Sequence, residues 1–195
     1  FNFMEMYIVW DMGRSIQSGD MVLMLLKPME YRSYLFWSYS GEHIMQFITT
    51  FLPTFLIVCI VTHGAIPLGI NLVYFVISVV MALLINYYIN FFVGTICLYT
   101  ESIWGINIMK QVIVMLLSGV TVPIAFFPET LQKIVYCLPF QSIYNAPLTL
   151  LLDGQPESGN VLSILGTQFL WCAVMGIACR LFWKLSIRQI TVNGG

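Results

Sequence analysis

Long apolar runs, separated by short clusters of helix breakers, divide this chain. Between Glu42 and Glu101 there is no Asp, Glu, Lys or Arg. A helical crossing of a bilayer takes about 20 residues, so this stretch predicts two crossings. His63-Gly64-Ala65-Ile66-Pro67-Leu68-Gly69 gathers the breakers in one patch and marks the turn between them. The first predicted span is 44–62, in which eleven residues are Ile, Leu, Phe or Val. Together these are worth roughly −3 to −7 kcal/mol of insertion free energy, enough to carry Gln46, the threonines and Pro53. Threonine hydroxyls and neighbouring helices can satisfy the carbonyl that Pro53 frees.

The second predicted span is 70–99. About 30 helical residues reach roughly 45 Å, more than a hydrocarbon core of about 30 Å, so this helix must tilt, protrude or break, with Gly94 its weak point. Asn86 and Asn90 are four apart and share a face, which should meet another helix or a wet cavity. The third span is expected over 108–125, with Lys110 at its entry and Gly119 and Pro123 near its exit. Phe127-Pro128 then breaks the chain before a short amphipathic helix. There Leu131, Ile134, Val135 and Leu138 repeat at helical spacing while Gln132 and Lys133 point elsewhere. Leu138-Pro139-Phe140 ends that helix, and the apolar stretch 143–152 is too short to cross. Such a pair reads as interfacial or re-entrant. The polar run Asp153–Asn160 predicts a solvent loop, and 161–182 the last span. Segment 126–160 is thus expected outside the cytoplasm.

Composition agrees with this pattern. Of 195 residues, 59 % are hydrophobic and 9 % charged, against about 25 % charged in a soluble domain. A net charge of −1 and the lack of an Arg/Lys run argue against nucleic acid as a partner. The first residue is Phe1, which suggests a fragment. The first segment is neither basic nor followed by a small-residue cleavage site, unlike a signal peptide. Four crossings put both ends on one side, where Arg14, Lys27, Arg32, Lys110, Arg180, Lys184 and Arg188 collect against Lys133 on the other. The positive-inside rule makes 1–42, the turn 100–110 and the C-terminus cytoplasmic.

Catalytic chemistry finds no pattern here: there is no HExxH, GxSxG or Walker A loop, and the acidic residues are scattered outside the spans. His43 and His63 are expected to cap opposite ends of the first span. Cys59, Cys97, Cys172 and Cys179 lie in apolar runs and Cys137 outside them, with no metal-ligand spacing. No catalytic residue, bound cofactor or metal site is predicted. Interhelical hydrogen bonding is favoured over substrate contact for Asn86 and Asn90, the only candidates for a polar translocation path.

The segment before the first span carries more. Gly19 breaks the chain, Ser18 or Asp20 can cap, and 21–26 makes under two helical turns before Pro28 stops it. Such a helix either lies on the lipid interface or docks into a partner, and the scarcity of basic residues around it favours the partner. Gly19-Asp20-Met21 followed by Leu25-Leu26-Lys27-Pro28 resembles a stretch of type-2 ATP-binding-cassette (ABC) exporter permeases. Ser118-Gly119 through Pro123 to Phe127-Pro128 is similar to that family's SG-x-x-x-P-x-x-x-FP signature, and the pattern continues through Leu131, Leu138-Pro139-Phe140, Pro147 and Asp153-Gly154. The end, Trp183-Lys184 through Gly194-Gly195, resembles the basic tail of one bacterial branch.

The resemblance implies an all-α integral membrane protein: a six-helix permease of which about four transmembrane helices are visible. Phe1–Trp10 would be the end of the family's second helix. It further implies a short cytoplasmic coupling helix at Ser18–Pro28, a re-entrant helix pair before the last span, and a multi-pass place in the cytoplasmic membrane. The implied partners are a separate ATPase subunit, which uses the ATP, and a second permease subunit, identical or not, with membrane lipid around both. A membrane-embedded enzyme and a structural membrane-anchoring subunit are the rival readings.

Overall fold

The computed structural model describes residues 6–62, 69–100, 103–152 and 158–189. All regular structure among them is helical. The expected turn at 63–69 (save Gly69), most of the loop at 153–160 and the tail from 190 lie outside the described residues. In chain order come α1 (Ile8–Ser18), α2 (Asp20–Leu25), α3 (Tyr31–Gln46), α4 (Leu52–Val61), α5 (Ile70–Ile96), α6 (Ile103–Leu117), α7 (Glu129–Cys137), α8 (Gln141–Leu152) and α9 (Ser158–Ser186). One π-helical turn, Phe47–Phe51, joins α3 to α4 into a continuous rod, Tyr31–Val61. The helix that carries the predicted crossing 44–62 begins earlier, at Tyr31, because nothing between Tyr31 and Gln46 interrupts the backbone ladder.

The π turn is the backbone's answer to Pro53. Proline has no N–H and crowds the carbonyl four residues back. Here the Leu52 N–H bonds to the Phe47 oxygen, five residues back, and the ladder widens just before the proline ring. Thr49 and Thr54 turn their hydroxyls onto the Met45 and Thr50 carbonyls, at 2.8 and 2.7 Å.

Among the described residues three helices are long and apolar enough to cross a membrane: Tyr31–Val61, Ile70–Ile96 and Gly159–Ser186. The helix α6 is also apolar but has only 15 residues, about 22 Å at roughly 1.5 Å each. It starts at Ile103 and stops at Leu117 rather than reaching Ala125. Gly119, with φ +81°, adopts the left-handed conformation that ends a helix, and Pro123 follows. Lys110 consequently sits mid-helix rather than at the entry.

At the centre stands α5, packed chiefly on α8 and α9, with α1 on a third side. It is unbroken. Gly94 is buried within it, and a Cβ there would lie 2.6 Å from the Met12 sulfur, so the glycine lets α1 approach closely rather than weakening the helix. Contacts set the directions of the helices. Ser78 pairs with Gln168 and the Tyr88 carbonyl with Cys179, so α5 and α9 run parallel. Phe51 stacks on Phe75 and Phe36 meets Tyr87 edge-on, so the α3–α4 rod runs antiparallel to α5. Among the described residues three apolar clusters result, the smallest of them Val9, Cys97 and Ile103, and the two larger as follows. One joins α1, Met21 of α2, Tyr31, Leu35 and Tyr39 of α3, Tyr87 and Phe91 of α5 and Cys179 of α9. The other joins Phe75, Val79 and Ile85 of α5 to Ile143 and Leu151 of α8, nearer the opposite end. The outer stretch of the rod, by contrast, leaves Ile57, Ile60 and Val61 exposed.

Candidate functional site

The short helix α2 hangs between two fixed joints. Helix α1 ends at Gly19, whose φ of +79° is left-handed and whose N–H bonds to the Ile16 oxygen at 3.3 Å. Ser18 closes the hinge from one side: its hydroxyl donates to Asp20 Oδ2 at 2.7 Å, and the Asp20 N–H reaches Ser18 Oγ at 3.4 Å. The far joint is Leu26 through Pro28, all exposed, with Lys27 Nζ 4.7 Å from the centre of the Tyr34 ring. Across the six residues of α2, Met21 is buried, and Met24 and Leu25 pack half-buried on the α1–α3–α5 core. Leu23 and Leu26 stand out, 65 % and 77 % exposed. Of the pair singled out in sequence, Leu25 therefore turns inward and Leu26 outward. Leu23 went unmarked, although it lies three before Leu26 on one face while Met21 and Leu25, four apart, share the other.

Beside α2 a cavity of about 750 Å³ opens between α1 and α3. Met24 of α2 forms part of its wall, with Trp10, Asp11 and Arg14 of α1 and Tyr34 and Glu42 of α3. The Tyr39 hydroxyl donates a short hydrogen bond to Asp11 and ties the two larger walls together. His43 is not an interfacial cap: it lies inside the rod, fully buried, with Nδ1 2.7 Å from the Tyr39 oxygen.

At the other end the chain folds back. After Gly119 and Pro123 a single 3₁₀ turn, Ile124–Phe126, plants Ile124 in the interior. Gln132 then reaches back, donating to the Phe127 oxygen at 2.8 Å and the Ala125 oxygen at 3.1 Å, and fixes α7 to that turn. Pro128 precedes the first residue of α7 with extended backbone. Of its expected apolar face only Val135 is buried in the chain; Leu138 is half-buried, and Leu131 and Ile134 are exposed, as is Lys133. One turn of contact is all the body of the protein offers α7, so its remaining apolar side chains point to its surroundings. Leu138 is extended, Pro139 buried and Phe140 half-buried, and from there α8 runs deep against α5.

Gln168 of α9, fully buried, fastens α8. It accepts the Ser78 hydroxyl at 2.8 Å and donates to the Ser142 oxygen at 2.9 Å and the Ser78 oxygen at 3.3 Å. Sequence reasoning missed this residue, though a glutamine mid-way along an apolar run is the signal that could have found it. Asn86 and Asn90 are also buried, 5 % and 2 % exposed. The Asn90 amide donates to the Asn86 main-chain and side-chain oxygens at 2.9 and 3.0 Å, and Lys110 Nζ donates to Asn90 Oδ1 at 2.8 Å. The asparagine face thus meets α6 through a lysine. Among the described residues no three His, Cys, Asp or Glu side chains gather as metal ligands.

A family model for ABC-2 family transporter proteins matches residues 1–194 of this chain. The chain belongs to the ABC-2 transporter family. No curated protein and no solved structure matches it. As an ABC-2 family member it is a multi-pass permease subunit of an ABC transporter, which works with an ATPase partner. The hinge at Gly19, the exposed face of α2 and the folded-back α7–α8 pair are therefore features of a transport protein.

Proposed function

We propose that this chain is the membrane half of an exporter, with α2 as the contact through which a separate ATPase subunit drives it. The observation that carries this is α2 itself: a short helix pinned by Gly19 and Pro28, holding the core with Met21 while presenting Leu23 and Leu26 outward. Two exposed leucines, Leu23 on α2 and Leu26 at its C-terminal cap, give too little area to hold a lipid surface alone, but in a protein cleft each contributes about 1.5–3 kcal/mol if fully buried. Because α2 leads directly into the rod beginning at Tyr31 and also walls the cavity beside Trp10 and Asp11, a push on α2 tilts the rod and reshapes that cavity together. Alternating access then follows from two such halves, a homo- or heterodimer, rocking against each other and moving substrate outward.

The reading places the Gly19 and Pro28 end in the cytoplasm of a cell whose cytoplasmic membrane holds the chain. Arg14, Lys27, Arg32, Arg180, Lys184 and Arg188 support this, since all lie on α1, on α3's first turns, on the last turns of α9 or close beside them. Asn86 and Asn90 act in this reading as fasteners between α5 and α6, a role that the bond from Lys110 to Asn90, itself bonded to Asn86, supports.

The test pairs two charge insertions. With the ATPase co-expressed, Leu26→Asp and Leu23→Asp should each reduce co-purification of the ATPase by more than about tenfold, a loss of ~1.4 kcal/mol or more, while the chain still inserts in the membrane. Leu25→Asp should instead harm folding, since Leu25 packs on the chain's own core. Normal binding and export by both Leu26→Asp and Leu23→Asp would remove α2 as the coupling element.

A further inference from the structure

We propose that the groove between α3, α5 and α9 is a binding site for an anionic phospholipid. The groove holds about 400 Å³, and Arg32 of α3 and Arg180 of α9 both line it while no Asp or Glu does. Neither guanidinium is strongly neutralised among the described residues. Arg180 makes no ion pair there, and Arg32 has only Glu30 at 3.5 Å, an exposed contact of a kind worth little in water.

The lining changes character in one direction along all three helices. On α9 the wall passes from Arg180 to Ile177 and then Ala173, one and two turns further from the helix end. On α5, which runs parallel to α9, it passes from Tyr88 to Leu84. On the antiparallel rod it passes from Arg32 and Ser33 to Phe36 and Trp37. Head-group chemistry therefore sits at one mouth and acyl-chain chemistry at the other. Aromatic rings border the polar mouth: Trp183 stacks at 5.4 Å on Tyr31, the residue before Arg32, the placing of an aromatic belt at a membrane surface.

A phosphodiester matches this mouth. A guanidinium offers a planar fork of donors to its two free oxygens, and a second guanidinium across the groove holds the charge from the other helix. A zwitterionic choline head group would put a cation of its own beside Arg32 and Arg180. Bound this way, an anionic lipid bridges the first turn of α3 to α9 and steadies the rod that follows α2.

The experiment uses the full-length permease with its ATPase, purified in mild detergent. The complex is incubated with phosphatidylglycerol or phosphatidylcholine of matched acyl chains and examined by native mass spectrometry. The wild type should prefer phosphatidylglycerol by about 30-fold, roughly fivefold for each arginine. Arg32→Gln with Arg180→Gln should abolish that preference, and Glu30→Gln should strengthen it. The Arg32 substitution leaves the fold its anchor there, because the Tyr87 hydroxyl bonds to the Arg32 main-chain oxygen at 2.6 Å. Ala173→Trp, exposed and far from either charge, should block the acyl wall and lower retention of both lipids. Equal retention of the two lipids by the wild type would overturn the site. So would undiminished phosphatidylglycerol binding in the double glutamine variant, or no effect of Ala173→Trp.

Discussion

Replacing Gln168 with leucine removes every side-chain hydrogen bond that fastens α8 to α5 and α9 through this residue while nearly conserving volume. Three bonds are lost: one from the Ser78 hydroxyl, and two donated to the Ser142 and Ser78 carbonyls. Interhelical hydrogen bonds in membrane proteins are worth about 0.6 kcal/mol on average and up to ~1.7 kcal/mol each. The two carbonyls lie within helices and keep their own ladder partners, so their second lone pairs lose little. The Ser78 hydroxyl is the group orphaned in an apolar core, and it can turn back to its own helix. The balance is a destabilisation of about 2 kcal/mol, the average value for three bonds. Unfolding in mixed micelles with increasing SDS, followed by tryptophan fluorescence, measures it. Thr167→Val is the paired control, because its hydroxyl bonds only to the Ser163 carbonyl of the same helix, at 2.8 Å, and should change stability by less than about 0.5 kcal/mol. Equal midpoints for the two variants would mean that α8 is held by apolar packing alone and that the polar fastening carries no weight.

Two other outcomes test the arrangement. A membrane-impermeant maleimide added to intact cells should label one thiol, Cys137 on exposed α7, and Cys137→Ser should abolish the signal; Cys97 and Cys179 are buried in the chain. Labelling of Cys137 only after lysis would reverse the orientation proposed above. A double-mutant cycle with Lys110→Met and Asn90→Leu should give a coupling of about 0.6–1.7 kcal/mol, and additive effects would show that α6 is not fastened to α5 through this pair.

The helical membrane architecture was legible because bilayer physics leaves few options. An uncharged stretch from 43 to 100 must cross twice, and the rod and α5 follow from that alone. Breakers were legible in type and less so in effect. Gly19 and Gly119 both take left-handed backbone, as breakers do, yet Gly94 has the same letter and sits inside an unbroken helix against Met12. A glycine's local freedom is visible in sequence; whether another helix needs that space is a tertiary fact. The extension of the first span's helix back to Tyr31 was not legible for a related reason. Polar residues between Tyr31 and Gln46 suggest a connector to a hydropathy argument, but the backbone there has no breaker and helix simply continues through them.

The candidate site divides along the same line. The hinge residues Ser18, Gly19, Asp20 and Pro28 are local devices, so spacing alone located them. Which leucine faces out is not local: with six residues in α2, the choice between Leu25 and Leu26 depends on where the α1–α3–α5 core lies, and Met21 settles it by entering that core. The polar residues inside the bundle show the opposite weighting. Asn86 and Asn90 drew attention because two amides on one face of an apolar helix are conspicuous, whereas Gln168 and Lys110 each stand singly in their runs. In the structure all four are held, Asn90 by Lys110 across α5 and α6, and Gln168 by Ser78 and Ser142 across α9, α5 and α8. Each fastening joins two different helices, 20 residues apart for Asn90 and Lys110 and 90 for Ser78 and Gln168, so the periodicity within one helix could not have paired them. A polar side chain in an apolar run therefore states that a partner exists, and only the packing of helices says which one. For this permease a partner lies on α5 in both cases, so α5 is the helix to which α6 and α9 are each fastened, with α8 joined to them through Gln168.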